Sequence, residues 1–390
     1  MHIGIDASSW DNNRGYGRYT RAILSELVRL DIDNEHTFFV DSSDVLELVP
    51  NNSEVVLVNS SNPTTSAAAS DSHRSVSDMW RMSRSLSAPD IDVLLFPTIY
   101  SYVPVFTHAK KLVVIHDVIP EIYPQFTFPR RTARLFWNMK TALGRWQADA
   151  IITVSDFSRQ CLIEHLNIVP ELVYVVGEAN DPIFHLIDQP ELSPRLTSLG
   201  IRVENRIITY VGGFGPHKNL LSLISILAEL VSQSDYQDVM LVMVGEYQRE
   251  VFYSDIKTIQ DRIQELRLIK HVVFTGYLPD EELVNLLNLS TVLVLPSLME
   301  GFGLPAVEAA ACGCPVIATT ESPLPELLGD GGLYVDPHNP DELQLALERV
   351  LSSKRLQNRM RVAGLQAVQS LTWEKAAYQM MDVINQVAAQ

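Results

Sequence analysis

The chain has 390 residues, 46% hydrophobic and 20% charged, with a net charge of −17 at pH 7. Its length exceeds the roughly 250–300 residues at which one core gives way to two domains, its charge excludes the basic footprint of a nucleic-acid binder, and no apolar run approaches the roughly 18 residues of a membrane-spanning helix. The start MHIGIDASSW lacks the basic and apolar blocks of a secretion leader, and Cys161, Cys312 and Cys314 form no paired framework, so a cytoplasmic protein with reduced thiols is expected.

Short β-branched runs alternate with helical patterns along the chain. HIGIDA precedes a helix near Tyr16–Leu30, and HTFFVD, EVVLVN, DVLLFP, KLVVIHD, DAIITVS and LVYVVG follow. RIITYVGG, VMLVMVGE, HVVFTG, TVLVLPS, PVIATT and GLYVDP repeat the style in the second half. Near-continuous apolar strands separated by helices predict parallel sheets covered on both faces, and two such series predict two doubly wound α/β domains in tandem. The seam falls in the proline-bearing stretch 178–206, which gives domains of residues 1–185 and 186–370. A last helix over 371–390, with Thr372 as its N-cap, is free to cross back to the first domain. Residues 51–78, rich in Ser, Asn and Ala around one short strand, read as a surface loop.

TVLVLPS reads as a buried strand whose carboxyl end is where open α/β sheets place ligands. It runs into SLMEGFGLPAVEAAACG. Pro305 suits a first helical turn, where its missing N–H has no partner anyway, and Gly313 suits the helix end. Gly301 and Gly303 let the backbone bend toward a ligand. The amides of Phe302, Gly303 and Leu304 then point out of a helix start, which attracts phosphate. Glu308, one turn into the helix, is placed to accept from a ribose diol. Glu300, ahead of the turn, is placed at the other end of a diphosphate, against sugar hydroxyls or a sugar carbon gaining positive charge. In YVGGFGPHKN, Gly212, Gly213 and Gly215 permit a tight turn, and Lys218 beside them is placed to neutralise a diphosphate. The plainer readings are acids serving as helix-dipole partners and a lysine at a solvated helix start.

Glu300-Gly-Phe-Gly-Leu-Pro-Ala-Val-Glu308, followed by AAACGCPVIAT, resembles the E-x7-E segment of the family 4 glycosyltransferases, the group 1 enzymes that include glycogen synthase-like and mannosyltransferase-like members. The resemblance covers nearly the whole chain and is strongest over residues 206–340. It implies a GT-B fold, with two Rossmann-like domains facing a cleft, the acceptor on the first and the nucleotide sugar on the second. It implies retaining transfer with neither a metal nor another cofactor. By the same resemblance Glu308 holds the ribose, and Glu300 with the amides of Phe302, Gly303 and Leu304 sits by the donor sugar and diphosphate. Lys218 meets the diphosphate. The family commonly has an Arg at the donor-binding position that is Gly213 here, and the Arg that some members place before the Lys is His217. His217, an arginine from elsewhere or backbone amides are the replacements to consider. In FTGYLPDEEL the main chain at Tyr277 and Leu278 is implied to meet the nucleobase. In DNNRGYGRYTRAIL, Gly15, Tyr16 and Gly17 are implied to close over the donor phosphates, and in VVIHDVIP His116 to orient the donor sugar.

Two further features of the first half bear on function. Gly15-x-Gly17 with Asp41 downstream invites a dinucleotide reading, but the third glycine position is Thr20 and the loop from Ala7 is too long. FPRRTARLFWNMKTALGRWQAD is basic and amphipathic in an acidic chain, and Arg130, Arg131 and Arg134 beside Phe136, Trp137 and Trp146 suit an anionic bilayer or a lipid-phosphate acceptor. An ordinary solvated face is the alternative.

The expected activity is transfer of a hexose from a nucleotide sugar, UDP-glucose ahead of GDP-mannose, to a hydroxyl of a glycan or lipid-linked acceptor, as in bacterial exopolysaccharide or lipopolysaccharide synthesis. Peripheral membrane association is compatible with it; nucleic acid is not an expected partner. The alternatives are a nucleotide-sugar epimerase, a dinucleotide oxidoreductase and a non-catalytic nucleotide-sugar-binding protein.

Overall fold

The computed structural model describes residues 1–12, 15–61, 75–87, 90–128, 130–247 and 254–390. The centre of the expected surface loop, residues 62–74, lies outside the described residues. Each segment expected as a strand is one, because runs such as Val-Leu-Leu-Phe and Val-Leu-Val-Leu fit a pleated surface buried on both sides.

The chain divides into two compact units, Met1–Glu178 with Thr372–Gln390, and Ala179–Leu371. In the first, strands β1 (His2–Asp6), β2 (Glu35–Val40), β3 (Glu54–Leu57), β4 (Val93–Phe96), β5 (Lys110–Val114), β6 (Ala150–Thr153) and β7 (Val173–Val175) form one sheet in the order β3-β2-β1-β4-β5-β6-β7. Every pairing is parallel, with Ile5 opposite Phe38 on one side and Leu95 on the other. In the second, β8 (Arg206–Val211), β9 (Val239–Val244), β10 (Val272–Gly276), β11 (Val292–Leu295), β12 (Val316–Thr319) and β13 (Gly332–Val335) form a parallel sheet in the order β10-β9-β8-β11-β12-β13. Strand residues such as Ile5, Leu94, Val113, Ile208, Leu241 and Val294 are fully buried, as expected of strands covered on both faces.

In each sheet the order reverses once, between β1 and β4 and between β8 and β11. Connections leave those neighbours toward opposite faces, which opens a crevice at their carboxyl ends. The helix Trp373–Ala388 packs on the helix Gly15–Leu30 of the first unit. Thr372 caps it by accepting from the Lys375 amide at 3.2 Å, and Ala376, Ala377, Met380, Val383, Ile384 and Val387 form its buried stripe.

Candidate active site

In the second unit the crevice between β8 and β11 is built by lacing two strand-end loops together. After β8 a short 3-10 turn, Pro216–Lys218, delivers Lys218. Asn219 follows with φ 55°, a left-handed conformation that asparagine tolerates. Its side-chain amide donates to the carbonyls of Pro296 at 3.1 Å and Pro337 at 3.0 Å. The Leu298 amide donates to the His217 carbonyl at 2.8 Å. The Glu300 amide donates to the Glu321 carbonyl at 3.0 Å, which ties in the loop after β12.

These ties bring Lys218 and Glu300 together. The Lys218 ammonium donates to Glu300 Oε1 at 2.7 Å, and the Ser297 hydroxyl donates to the same oxygen at 2.6 Å. Glu300 is 8% exposed. Burial alone would raise its carboxyl; the charge and hydrogen bond of Lys218, with the Ser297 hydroxyl, outweigh it and hold the group below its ordinary range. The site therefore contains an ionised acid and its cation in place.

The glycine turn then enters the helix Leu304–Ala311, with Pro305 in the first turn. Gly303 has φ 85°, and a Cβ there would lie 2.8 Å from Leu324 Cδ1, so the position admits no larger residue without displacement. Its carbonyl accepts from the Ala306 amide at 2.8 Å and opens the helix. The amides of Phe302, Gly303 and Leu304 donate to no other group among the described residues. Three free donors at a helix start, just after the Glu300 that Lys218 holds, suit an anion. Glu308 lies on the same helix and is buried. Gly313 follows the helix end at φ 71°, with its own amide bonded to Ala310 and that of Cys314 to Ala309. Cys161, Cys312 and Cys314 are buried and form no disulfide among the described residues; burial and then the Glu308 charge push the Cys312 thiol up to about 12.

His217 does not replace the missing arginine charge. Its Nδ1 is buried with no hydrogen-bond partner among the described residues. Burial and then the Lys218 charge lower its pKa to about 3, so the ring is neutral at pH 7. Gly213 is exposed, and its carbonyl accepts from the Tyr210 hydroxyl. Tyr277 and Leu278 follow β10, the tyrosine 51% exposed and the leucine buried, next to the ring cluster of Phe214, Tyr247 and Phe274.

In the first unit Gly15 and Gly17 both lie in the helix Gly15–Leu30. A Cβ on Gly17 would lie 1.9 Å from the Asn12 carbonyl oxygen, whereas nothing described lies within 4 Å of one on Gly15. Gly17 is thus required for close packing inside a helix. The pair does not form the strand-to-helix turn of a dinucleotide site. Tyr16 stacks on Tyr100 at 5.2 Å, and its hydroxyl accepts from Asn12 at 2.6 Å. His116 follows β5. Its ring meets Tyr19 edge to face at 4.7 Å, and its Nδ1 lies 3.5 Å from Glu178 Oε1. Asp117 accepts from the Ile119 amide at 2.9 Å, and Ser155 caps its helix by accepting from the Ser158 amide at 3.0 Å. Both are local backbone roles.

The basic helix Arg131–Gln147 buries only Thr141 and Gly144. Leu135, Phe136, Met139 and Trp146 are 69%, 64%, 52% and 79% exposed. A soluble surface helix turns its apolar stripe inward; this one turns it outward, and Arg130, Arg131 and Arg134 are exposed beside it. No described helix is long and apolar enough to cross a membrane.

Sequence reasoning missed Ser297, Tyr19 and Glu178. Ser297 had a weak signature, a hydroxyl at a strand end three residues before Glu300. Glu178 had none, because it reaches His116 only through the sheet.

Residues 196–366 match the family described as Glycosyl transferases group 1, and residues 13–181 match Glycosyltransferase Family 4. The chain is 25% identical over 406 aligned residues to the serotype-specific mannosyltransferase WbdA of Escherichia coli, an alignment covering 97% of this chain and 47% of that protein. It spans about half or less of the length of most of the first curated relatives it matches. Among solved structures, sucrose-phosphate synthase from Thermosynechococcus elongatus superposes with a TM-score of 0.75 at 19% identity, over 100% of this chain and 99% of that one. Anabaena Alr3699/HepE in complex with UDP-glucose superposes with a TM-score of 0.72 at 17% identity, over 99% of each chain. The fold expected from the resemblance, the GT-B architecture of two doubly wound parallel sheets, is the one these structures share. With its two halves matched by the two halves of one family, the chain belongs to the family 4, group 1 glycosyltransferases.

Proposed function

We propose that the protein transfers a hexose from a nucleoside diphosphate sugar to a glycan or lipid-linked hydroxyl, with retention at the anomeric carbon. The observation that carries this reading is the Lys218–Glu300 pair beside three unpartnered amides at a sheet's switch point. An ammonium has three N–H donors. One serves Glu300, and two are left for diphosphate oxygens. The amides of residues 302–304 take further phosphate oxygens, Glu308 holds the ribose, and the main chain at Tyr277 and Leu278 meets the base.

The acceptor oxygen attacks the anomeric carbon as the bond from that carbon to the phosphate oxygen breaks. The acceptor proton passes to the leaving phosphate oxygen on the same face, and no metal takes part. Glu300, held ionised, stabilises positive charge developing on the sugar, and His116 orients the sugar through a hydroxyl. The mannosyltransferase relatives support a mannosyl donor such as GDP-mannose ahead of UDP-glucose. The outward apolar stripe with its arginines supports contact with an anionic membrane, where a lipid-linked acceptor resides.

Purified protein incubated with GDP-mannose, UDP-glucose and a lipid-linked oligosaccharide in EDTA tests this. Acceptor-dependent release of nucleoside diphosphate, with an α-linked product, is expected. Donor consumed to an epimer without acceptor, an inverted linkage or strict metal dependence overturns it.

A further inference from the structure

His116 is enclosed by groups from three parts of the first unit. Tyr19, from the helix Gly15–Leu30, packs edge to face on the ring at 4.7 Å. Glu178, after β7, sets Oε1 at 3.5 Å from Nδ1 and is itself 8% exposed. The helix Trp373–Ala388 secures both: Trp373 packs on Tyr19 at 6.0 Å, and the Gln379 side-chain oxygen accepts from the Gly177 amide at 3.2 Å, next to Glu178. His116 Nε2 is buried and has no hydrogen-bond partner among the described residues. An unpaired buried polar atom is destabilising, and a substrate hydroxyl on Nε2 would remove that cost.

The ring can carry its neutral proton on either nitrogen, and the partner of one nitrogen decides the state of the other. A carboxyl facing Nδ1 favours the proton there. We propose that Glu178 is the positioning residue of His116: it keeps the proton on Nδ1, so that Nε2 presents a lone pair and accepts a hydrogen bond from a donor-sugar hydroxyl. The inference rests on the reading of His116 as the contact to the donor sugar. The separation of 3.5 Å is longer than a closed hydrogen bond, and such bonds tighten when substrate is bound. Glu178 acts through His116 and touches no reacting atom.

Nitrogen NMR of histidine-labelled protein, with the His116 resonances assigned by their loss in His116→Gln, reads the tautomer directly. The Nδ1–H form is expected in the unmodified protein at neutral pH, and an Nε2–H form overturns the proposal without any variant at Glu178. In Glu178→Leu the Nε2–H form should become dominant, and kcat for transfer should fall about tenfold or more with KM for the nucleotide sugar changed less than about threefold. Glu178→Gln, which keeps an acceptor and the side-chain volume, should retain the Nδ1–H form and recover part of kcat. An unchanged tautomer in Glu178→Leu, or equal loss of kcat in Gln and Leu variants, refutes the positioning role. Full turnover by His116→Gln instead sinks the sugar-contact reading and leaves the tautomer result standing.

Discussion

Lys218 Nζ donates to Glu300 Oε1 at 2.7 Å, so the cation expected for the diphosphate and the acid expected for the sugar are joined directly. The pair comes from loops after β8 and β11, adjacent strands at the sheet's switch point. Each residue thereby lowers the cost of holding the other's charge in a crevice largely closed to water.

Removing one partner should be worse than removing both charges. Lys218→Met is expected to destabilise the fold by about 1–3 kcal/mol, less than a fully buried pair because Ser297 stays on the carboxyl and both groups keep some water. Lys218→Met with Glu300→Gln should regain most of that loss while transfer stays abolished. Urea denaturation of the four proteins completes the cycle; additive losses would show that the two groups are not coupled.

The neutral His217 makes a second, separable prediction. Its pKa is about 3 against an ordinary 6.5, so between those values the unfolded chain binds a proton that the native protein does not. Stability should therefore rise with pH across that window and drain away as pH falls from about 6.5. The Glu300 carboxyl, shifted down from 4.5, adds its own loss only below that value as pH falls through its folded pKa. His217→Gln should make the urea-midpoint profile shallower between pH 6.5 and about 3, with His36, whose pKa burial also lowers, keeping part of the slope and the Glu300 loss still setting in below 4.5. A wild-type profile that is flat from 6.5 to 4.5 contradicts the burial of this ring.

Two glycines of one motif should behave differently. Gly17→Ala forces a Cβ to 1.9 Å from a main-chain oxygen, and a shift of the helix start costing about 2–4 kcal/mol is expected. Gly15→Ala meets nothing described within 4 Å and should change stability by less than about 1 kcal/mol. Thermal melting of the two single variants decides it.

The outward stripe of the helix Arg131–Gln147 predicts vesicle binding. Sedimentation with vesicles containing phosphatidylglycerol should exceed that with pure phosphatidylcholine and fall with salt, each arginine near the surface contributing about 1 kcal/mol. Leu135→Ser with Trp146→Ser should remove most of the binding while leaving donor turnover on a soluble acceptor unchanged. Equal binding to neutral and anionic vesicles would rule out the arginine contribution.

The strand runs, the glycine turn and both its glutamates were legible in the sequence because each is a local pattern. Val-Leu-Val-Leu before Gly-Phe-Gly-Leu-Pro states strand, turn and helix start within a dozen or so residues. The Lys218–Glu300 contact was not legible, since strand order alone makes their loops neighbours. Nor was the depression of His217, where the residue type suggested a cation and burial removed it. The apolar stripe of residues 135–146 was visible as amphipathicity, but only packing shows which side faces water.

The segment Thr372–Gln390, which carries the helix Trp373–Ala388, completes a unit whose other residues all precede Ala179. During synthesis the first sheet must therefore wait, with the Gly15–Leu30 helix uncovered, until the entire intervening unit has left the ribosome. The second unit can fold on its own as it emerges, while the first closes only through contacts of long sequence separation, a slow step that leaves apolar surface open to chaperones in the meantime.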